Sequence, residues 1–277
     1  ADIWCFPGRA QATNEVLENY RTMVHTSNVL LLPLYQKIDE TFGAQKAESL
    51  KNFARRYFAS SANAELARAT EEQLFSQVTT AWDFIQERPG TGVKIQFCEW
   101  QRDDEQNSRP GTSIYVLLND MPFVVDSVRQ CLNRTGATVR HLNNAVIYVA
   151  RGSSKQKRGK LQSLVPDADG EHKAEALTCI HCSLISKERH AEIEAEIRDT
   201  LKHVAAAVKA YKPMTKKAEE IRARLVANAA QFPVEGAELA ESVAFIDWIL
   251  DNHFTFLGYE EYRIRNRAQG QILEYQQ

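Results

Sequence analysis

The sequence predicts an α+β fold: a helical N-terminal region, a ferredoxin-like βαββαβ sandwich, more helices, and the first strands of a further unit. Three observations carry this. Apolar residues recur at helical spacing up to about residue 90. Beyond Gly92 the chain turns to short runs rich in β-branched and aromatic residues. Between residues 112 and 211 the order reads strand, helix, strand, strand, helix, which is α+β layering.

The N-terminal region, 12–90, opens with a short helical stretch from Asn14 to Met23 and an apolar one from Val29 to Ile38, interrupted by Pro33. Leu50, Phe53, Ala54, Tyr57 and Phe58 make one helical stripe, and Leu74, Val78, Ala81, Trp82 and Ile85 another. Ser61 to Ala64 marks a break between helices. Thr70, followed by Glu71 and Glu72, has the character of an N-cap with an acidic first turn. Arg88-Pro-Gly-Thr-Gly92 ends the region, because proline and paired glycines do not continue a helix.

The second region, 92–211, holds the sheet. Strands are expected at Val93–Trp100 and Ile114–Leu118, around a polar loop from Arg102 to Gly111. A helix is expected over Pro122–Thr135, with Val124, Val128, Cys131 and Leu132 on one side. Thr138–Val149 and Ala176–Ile185 return to strand, joined through the basic connection Arg151 to Lys160. Val93–Trp100, or a strand from elsewhere, would complete the sheet. The half-polar alternation points to one covered face. Ile193, Ile197, Leu201, Val204, Val208 and Tyr211 then form the clearest amphipathic stripe in the chain.

A helical linker, 212–252, is expected as two helices ending near Ala230 and Leu250, divided at Pro233 and Gly236. The last region, 253–277, reads as a strand from Phe254 to Ile264 with a partner near Ile272–Tyr275.

Composition narrows the function. The 277 residues carry 34 basic and 36 acidic side chains, a net charge of −2. That balance gives no electrostatic case for a nucleic acid or an anionic membrane. No apolar run approaches the roughly 20 residues of a membrane span, and no leader pattern opens the chain. Five irregularly spaced cysteines favour free thiols in a reducing cytoplasm.

Catalytic parts are scarce. Gly90-Thr-Gly92 precedes a strand instead of following one, so it is no dinucleotide fingerprint. P-loop, H-E-x-x-H and G-x-S-x-G patterns are absent. Cys179, His181 and Cys182 have the chemistry of metal ligands, yet no second pair follows and a strand would turn His181 away from Cys182. Nothing brings a base to Cys98, Cys131 or Cys179. Arg151, Lys155, Lys157, Arg158 and Lys160 read as a solvated connection, with Asp167, Asp169 and Glu171 close behind. Asp247, Glu260 and Glu261 read as surface carboxylates.

One junction is better placed to bind something. Asn119-Asp-Met-Pro-Phe-Val-Val-Asp-Ser127 runs from a strand into a helix. Asp120 suits an N-cap and Pro122 a first turn. Free amides and the helix dipole there favour a carboxylate or phosphate. A well-capped turn without a ligand satisfies the same residues.

At these residues the chain resembles a known family. Asn119–Val128 is similar to the "NDMPFLVDSV" element of the large bacterial NAD-specific glutamate dehydrogenases, with Val124 in place of leucine. His253–Tyr262 is similar to their "HFTFLGYREY", with Glu260 in place of arginine, and Phe53–Phe58 resembles the preceding helical segment. The likeness covers residues 25–265; residues 1–11 match nothing. It implies an N-terminal ACT-like region associated with amino-acid sensing and subunit contacts. NAD and the redox machinery would then lie in a downstream catalytic domain of a homo-oligomeric parent. It also implies a second ACT-like unit opening near Phe254. An amino-acid effector would sit at Asn119, Asp120, Met121, Pro122 and Phe123, with Asp126 and Ser127 nearby. Met121-Pro122 stands where amino-acid-binding members carry Pro-Gly, so backbone approach is less open. The rival expectation is a structural module with no ligand, marked by an exposed stripe such as Phe53 with Tyr57. A third, that the chain is itself a complete enzyme, lacks every catalytic part.

Overall fold

The computed structural model describes residues 29–101, 110–153, 159–165, 172–231, 234–267 and 270–275. The expected helix at Asn14–Met23, residues 1–11, most of the Arg102–Gly111 loop, Lys155, Lys157, Arg158, Asp167, Asp169, Glu171 and Pro233 lie outside them. The chain divides into two units, Ala1–Arg198 and Asp199–Gln277.

Among the described residues, after a helical pair at 29–30, the first unit has the helices α1 (Leu32–Thr41), α2 (Ala44–Tyr57), α3 (Asn63–Arg68) and α4 (Glu71–Ile85). The expected interruption of Val29–Ile38 falls at Leu31, and Pro33 sits in the first turn of α1, where its missing N–H has no helical partner. The short α3 occupies what reads in sequence as a break. Thr70 caps α4 as expected. Its hydroxyl accepts from the Gln73 amide at 3.2 Å, and the Gln73 side chain accepts from the Thr70 amide at 3.1 Å. Thr70→Ala should lower stability by about 1 kcal/mol, read as a drop in thermal midpoint.

A five-stranded antiparallel sheet follows: β1 (Lys94–Gln101), β2 (Pro110–Asn119), β3 (Val139–Arg151), β4 (Leu161–Val165) and β5 (Lys173–Ser183), in the order β1-β2-β5-β3-β4. Helix α5 (Val124–Arg134) crosses from β2 to β3 over the intervening β5. The fold is therefore α+β. Val93–Trp100 does supply a sheet strand, pairing with β2 from Lys94↔Leu117 to Gln101↔Pro110. Strand β4 is an addition that the sequence pattern hides: it is short, at the edge, and mixed in burial.

The expectation of a single covered face is corrected. Strands β2 and β5 are buried along both sides. On one face Tyr115, Leu117, Leu177, Cys179, Ile147 and Val149 join a core with Leu34, Leu50, Phe53, Val78 and Ile85 of the N-terminal helices. On the other, Ile114, Val116, Ile180 and Cys182 are equally buried. The covering helices there are α5, through Val128, Cys131 and Leu132, and the start of α6 (Lys187–Ala227), through Ile193 and Ile197. Phe53 and Tyr57 thus lie in the core, not on an exposed stripe. Burying a side chain of that size stabilises by about 1.5–3 kcal/mol, which decides its direction.

Helix α6 is one element of 41 residues and passes into the second unit. The helix does not end at Tyr211 but continues to Ala227. Pro213 is exposed and removes a single ladder bond. The second unit continues with a 3₁₀ turn at Ala229–Gln231, helix α7 (Gly236–Trp248), a π turn at Ile249–His253, and the hairpin β6 (Tyr262–Arg267) and β7 (Gly270–Tyr275). The strand therefore begins at Tyr262, not at Phe254. Among the described residues no helix is long and apolar enough to cross a membrane.

Candidate functional site

The β2–α5 junction is the site named by the sequence, and the structure divides its residues between the two faces of the sheet. Asn119 is paired with Glu175 across the ladder and shares its face. That is the face covered by the N-terminal helices, whereas α5 lies on the other. The Asp120 amide still donates to Ala174 O at 2.9 Å, so the chain belongs to the sheet at residue 120. This is why Asp120 is not the N-cap and Pro122 is not in the first turn. The cap position falls to Phe123, with φ 68° and ψ 4° and no side-chain cap bond. Phe123 is the one non-glycine residue with positive φ among the described residues. Such a conformation is strained and concentrates where a corner is held for a purpose.

Around that corner Met121 and Pro122 are half-buried, and Phe123 is exposed. Val124 anchors the helix in the core. The Ser127 amide donates to Phe123 O at 3.0 Å, closing the first turn. Asp126 is exposed, 3.3 Å from Arg129. Desolvation pushes the Asp120 carboxyl up, against a backbone hydrogen bond from Met121, although its surface is largely open to water. Chemically, the helix N-terminus at this corner favours an anion.

Beneath Asn119 sits a cluster with no sequence signature. Arg88, which reads as part of a helix-ending turn, is buried. Its guanidinium donates to Glu175 Oε1 at 2.9 Å, Asn119 Oδ1 at 2.8 Å, Gly92 O at 2.9 Å and Thr91 O at 2.7 Å. Arg151 grips the same carboxylate, Nε to Oε1 at 2.8 Å and Nη2 to Oε2 at 2.6 Å. It also donates to Ile85 O at 3.1 Å and Gly159 O at 2.9 Å. Arg151 is therefore not part of a solvated connection. Lys94 reaches Phe84 O and Glu87 O. Lys94 and Arg151 together satisfy carbonyls at the C-terminus of α4, where cations are favoured. Gly159, at φ +79°, lies so close that a Cβ would meet Arg88 O at 2.3 Å.

The other sequence candidates have separate surroundings. His181 pairs with Ser113, and Cys182 with Thr112, on opposite faces as the strand requires. Ser113 Oγ lies 2.7 Å from His181 Nδ1, and Cys179 Sγ lies 3.7 Å from Nε2. Burial pushes the Cys179 thiol up to about 12 and the Cys182 thiol up to about 11, so both stay protonated and unsuited to nucleophilic attack. Among the described residues no group of three or more His, Cys, Asp or Glu could hold a metal. Asp247 pairs with Arg222, Glu261 with Lys217 at 2.9 Å, and Glu260 accepts from Tyr262 at 2.6 Å.

Fit to a nicotinamide dinucleotide can be tested at the Gly90-Thr-Gly92 turn. Its Thr91 and Gly92 carbonyls face the Arg88 guanidinium, and it leads into a strand rather than a helix. A pyrophosphate needs amides at a helix N-terminus. These residues do not fit the group.

The family model described as "Glutamate dehydrogenase, ACT1 domain" matches residues 53–197, just over half of the chain. The chain belongs to this family. The ACT1 match runs from within α2, through the whole sheet, to the third turn of α6. Curated relatives agree. The NAD-specific glutamate dehydrogenase of Halomonas elongata is 31% identical over 250 residues, which is 88% of this chain and 15% of that protein. The NAD-specific glutamate dehydrogenase of Pseudomonas aeruginosa is 30% identical over 229 residues, 80% of this chain and 14% of that protein. The chain thus spans about one-seventh of the length of the relatives it matches.

Proposed function

We propose that this chain is the N-terminal, non-catalytic regulatory and assembly region of a large cytoplasmic NAD-specific glutamate dehydrogenase. The parent would convert L-glutamate, NAD and water to 2-oxoglutarate, ammonia and NADH on a downstream domain of the same chain, in a homo-oligomer. The observation that carries this is the ACT1 match over the sheet and its covering helices. In support, the sheet contains β2-α5-β3-β5-α6 with β1 beside β2, which we read as ferredoxin-like with β1 in the place of the fourth strand. The glycine turn closed on Arg88 agrees with a cofactor held elsewhere in the parent. The isolated 277 residues should produce no NADH from glutamate and NAD, while the full-length enzyme does. NADH formation by the isolated chain would overturn the non-catalytic reading.

A second reading, an amino-acid effector at Asn119–Phe123 with Asp126 and Ser127, is favoured by the strained Phe123 beside open helix amides. Its carboxylate would face the amides of α5 and its ammonium group Asp120 and Asp126. Asn119 is a poor probe because it also holds Arg88. Val125 is half-buried in the first turn. Val125→Glu adds a negative charge that the helix dipole tolerates and an incoming carboxylate does not. Millimolar amino acids should raise the melting temperature of the chain, and Val125→Glu should abolish the rise. No rise with any amino acid would leave the structural reading alone.

A further inference from the structure

Lys46 and Asp83 are charges set against the ends of their own helices. Lys46 stands in the first turn of α2, which holds no acidic residue, and Asp83 in the last turn of α4, which holds no basic one. The helix dipole disfavours a cation at the first position and an anion at the second. Both residues are exposed, and neither forms an ion pair among the described residues. Lys46 Nζ lies 4.1 Å from the Phe42 ring, which does not neutralise it. The two charges share one groove. Gln45, Lys46 and Ser49 of α2 line it together with Trp82, Asp83 and Gln86 at the end of α4, around a volume of about 360 Å³. That is the size of a small-molecule site. Trp82 is half-buried, and an edge contact with Phe53 at 5.5 Å fixes its ring as an aromatic wall. Gln86 donates to Trp82 O at 3.0 Å, which leaves its Oε1 to accept, and Ser49 donates to Gln45 O at 3.1 Å.

The geometry points to a binding site for a nucleoside monophosphate in this groove. The base stacks on Trp82, since every base has a π-face that an aromatic side chain can take. Gln86 Oε1 accepts from the amino group of the base, and the Asp83 carboxylate accepts from the ribose hydroxyls. The phosphate pairs with Lys46, and Gln45 and Ser49 stand beside it with further hydrogen-bonding groups. Each charge that the helix ends disfavour thereby gains a partner. A free amino acid would answer the two charges but leave both carboxamides without a role. None of the six lining residues belongs to the β2–α5 junction, and the inference does not rest on the reading of the parent enzyme.

Calorimetric titration of the 277-residue chain with adenosine 5′-monophosphate tests this. One saturable site is expected, with weaker binding of inosine 5′-monophosphate, whose base carries a carbonyl in place of the amino group. Lys46→Glu should weaken the nucleotide about tenfold and leave adenosine, which has no phosphate, nearly unchanged. Asp83→Ala should weaken both. Each substitution also relieves an unfavourable charge at a helix end, so the variants should melt no lower than the wild type. Lost binding then reports the site and not the fold. No saturable binding at millimolar nucleotide would overturn the inference. So would equal affinity for inosine 5′-monophosphate, full displacement by inorganic phosphate or a free amino acid at the same concentration, or binding that survives both substitutions.

Discussion

Glu175→Gln is expected to destabilise the first unit by about 3–5 kcal/mol, the cost of breaking one side of a buried ion pair. The Glu175 side chain is 4% accessible, between Arg88 at 2% and Arg151 at 13%. Its two oxygens accept three charge-assisted bonds. Removing the charge leaves two guanidinium groups together in a buried site. An exposed pair such as Lys51–Asp39, at 2.8 Å, contributes only about 0–1 kcal/mol, so Asp39→Asn is the matched control. A single domain has about 5–15 kcal/mol in total, hence the loss should appear as a large shift in urea midpoint or as outright failure to fold. A triple change of Arg88, Arg151 and Glu175 to methionine should recover much of the loss, because an apolar replacement removes the stranded charges along with the bonds. If Glu175→Gln shifted the midpoint no more than Asp39→Asn, the cluster would not be what joins the end of α4 to the sheet.

This cluster also marks where sequence reading stops. Helices α2 and α4 were legible because a stripe at steps of three and four names its own buried face, as Phe53 and Val78 show. The junction at Asn119 was legible because proline and acidic residues between apolar runs restrict the backbone locally. Arg88 was not. In Arg-Pro-Gly it looks like the end of a helix, and its burial depends on partners at residues 119, 151 and 175. The second covered face was hidden for a related reason. His181 has the character of a solvated strand residue, but it is buried and meets Ser113 at 2.7 Å. A polar group whose hydrogen bonds are made inside the protein can be buried at little cost. The cap at Phe123 was missed because capping rules weigh side chains. What moved the helix start was a backbone amide, that of Asp120, already committed to the sheet.

The second large effect is acid sensitivity at His181. Burial, and then the charge of neighbouring His141, hold its pKa down at about 4 from an ordinary 6.5. The groups around it come from several elements. Ser113 lies at 2.7 Å on β2 and Cys179 at 3.7 Å on its own strand. Trp100 of β1 packs edge-on at 5.5 Å, and His141 of β3 stacks at 5.6 Å. Glu65 of α3 lies on the far side of His141, at 3.3 Å from its Nδ1. No carboxylate among these touches His181 to welcome a proton. The unfolded chain therefore takes up that proton before the folded one does. Stability is complete above pH 6.5, falls as the pH drops towards 4, and levels off below, for a total loss of about 3 kcal/mol. Urea unfolding at a series of pH values should show this slope, and His181→Asn, which keeps a hydrogen-bonding group for Ser113, should flatten it. The loss should reach the N-terminal helices as well, since Tyr57 of α2 and Cys179 of β5 share one core with them. A wild-type profile that stayed flat from pH 7 to 4.5 would show that water reaches His181 and that the N-terminal helices do not seal this face of the sheet.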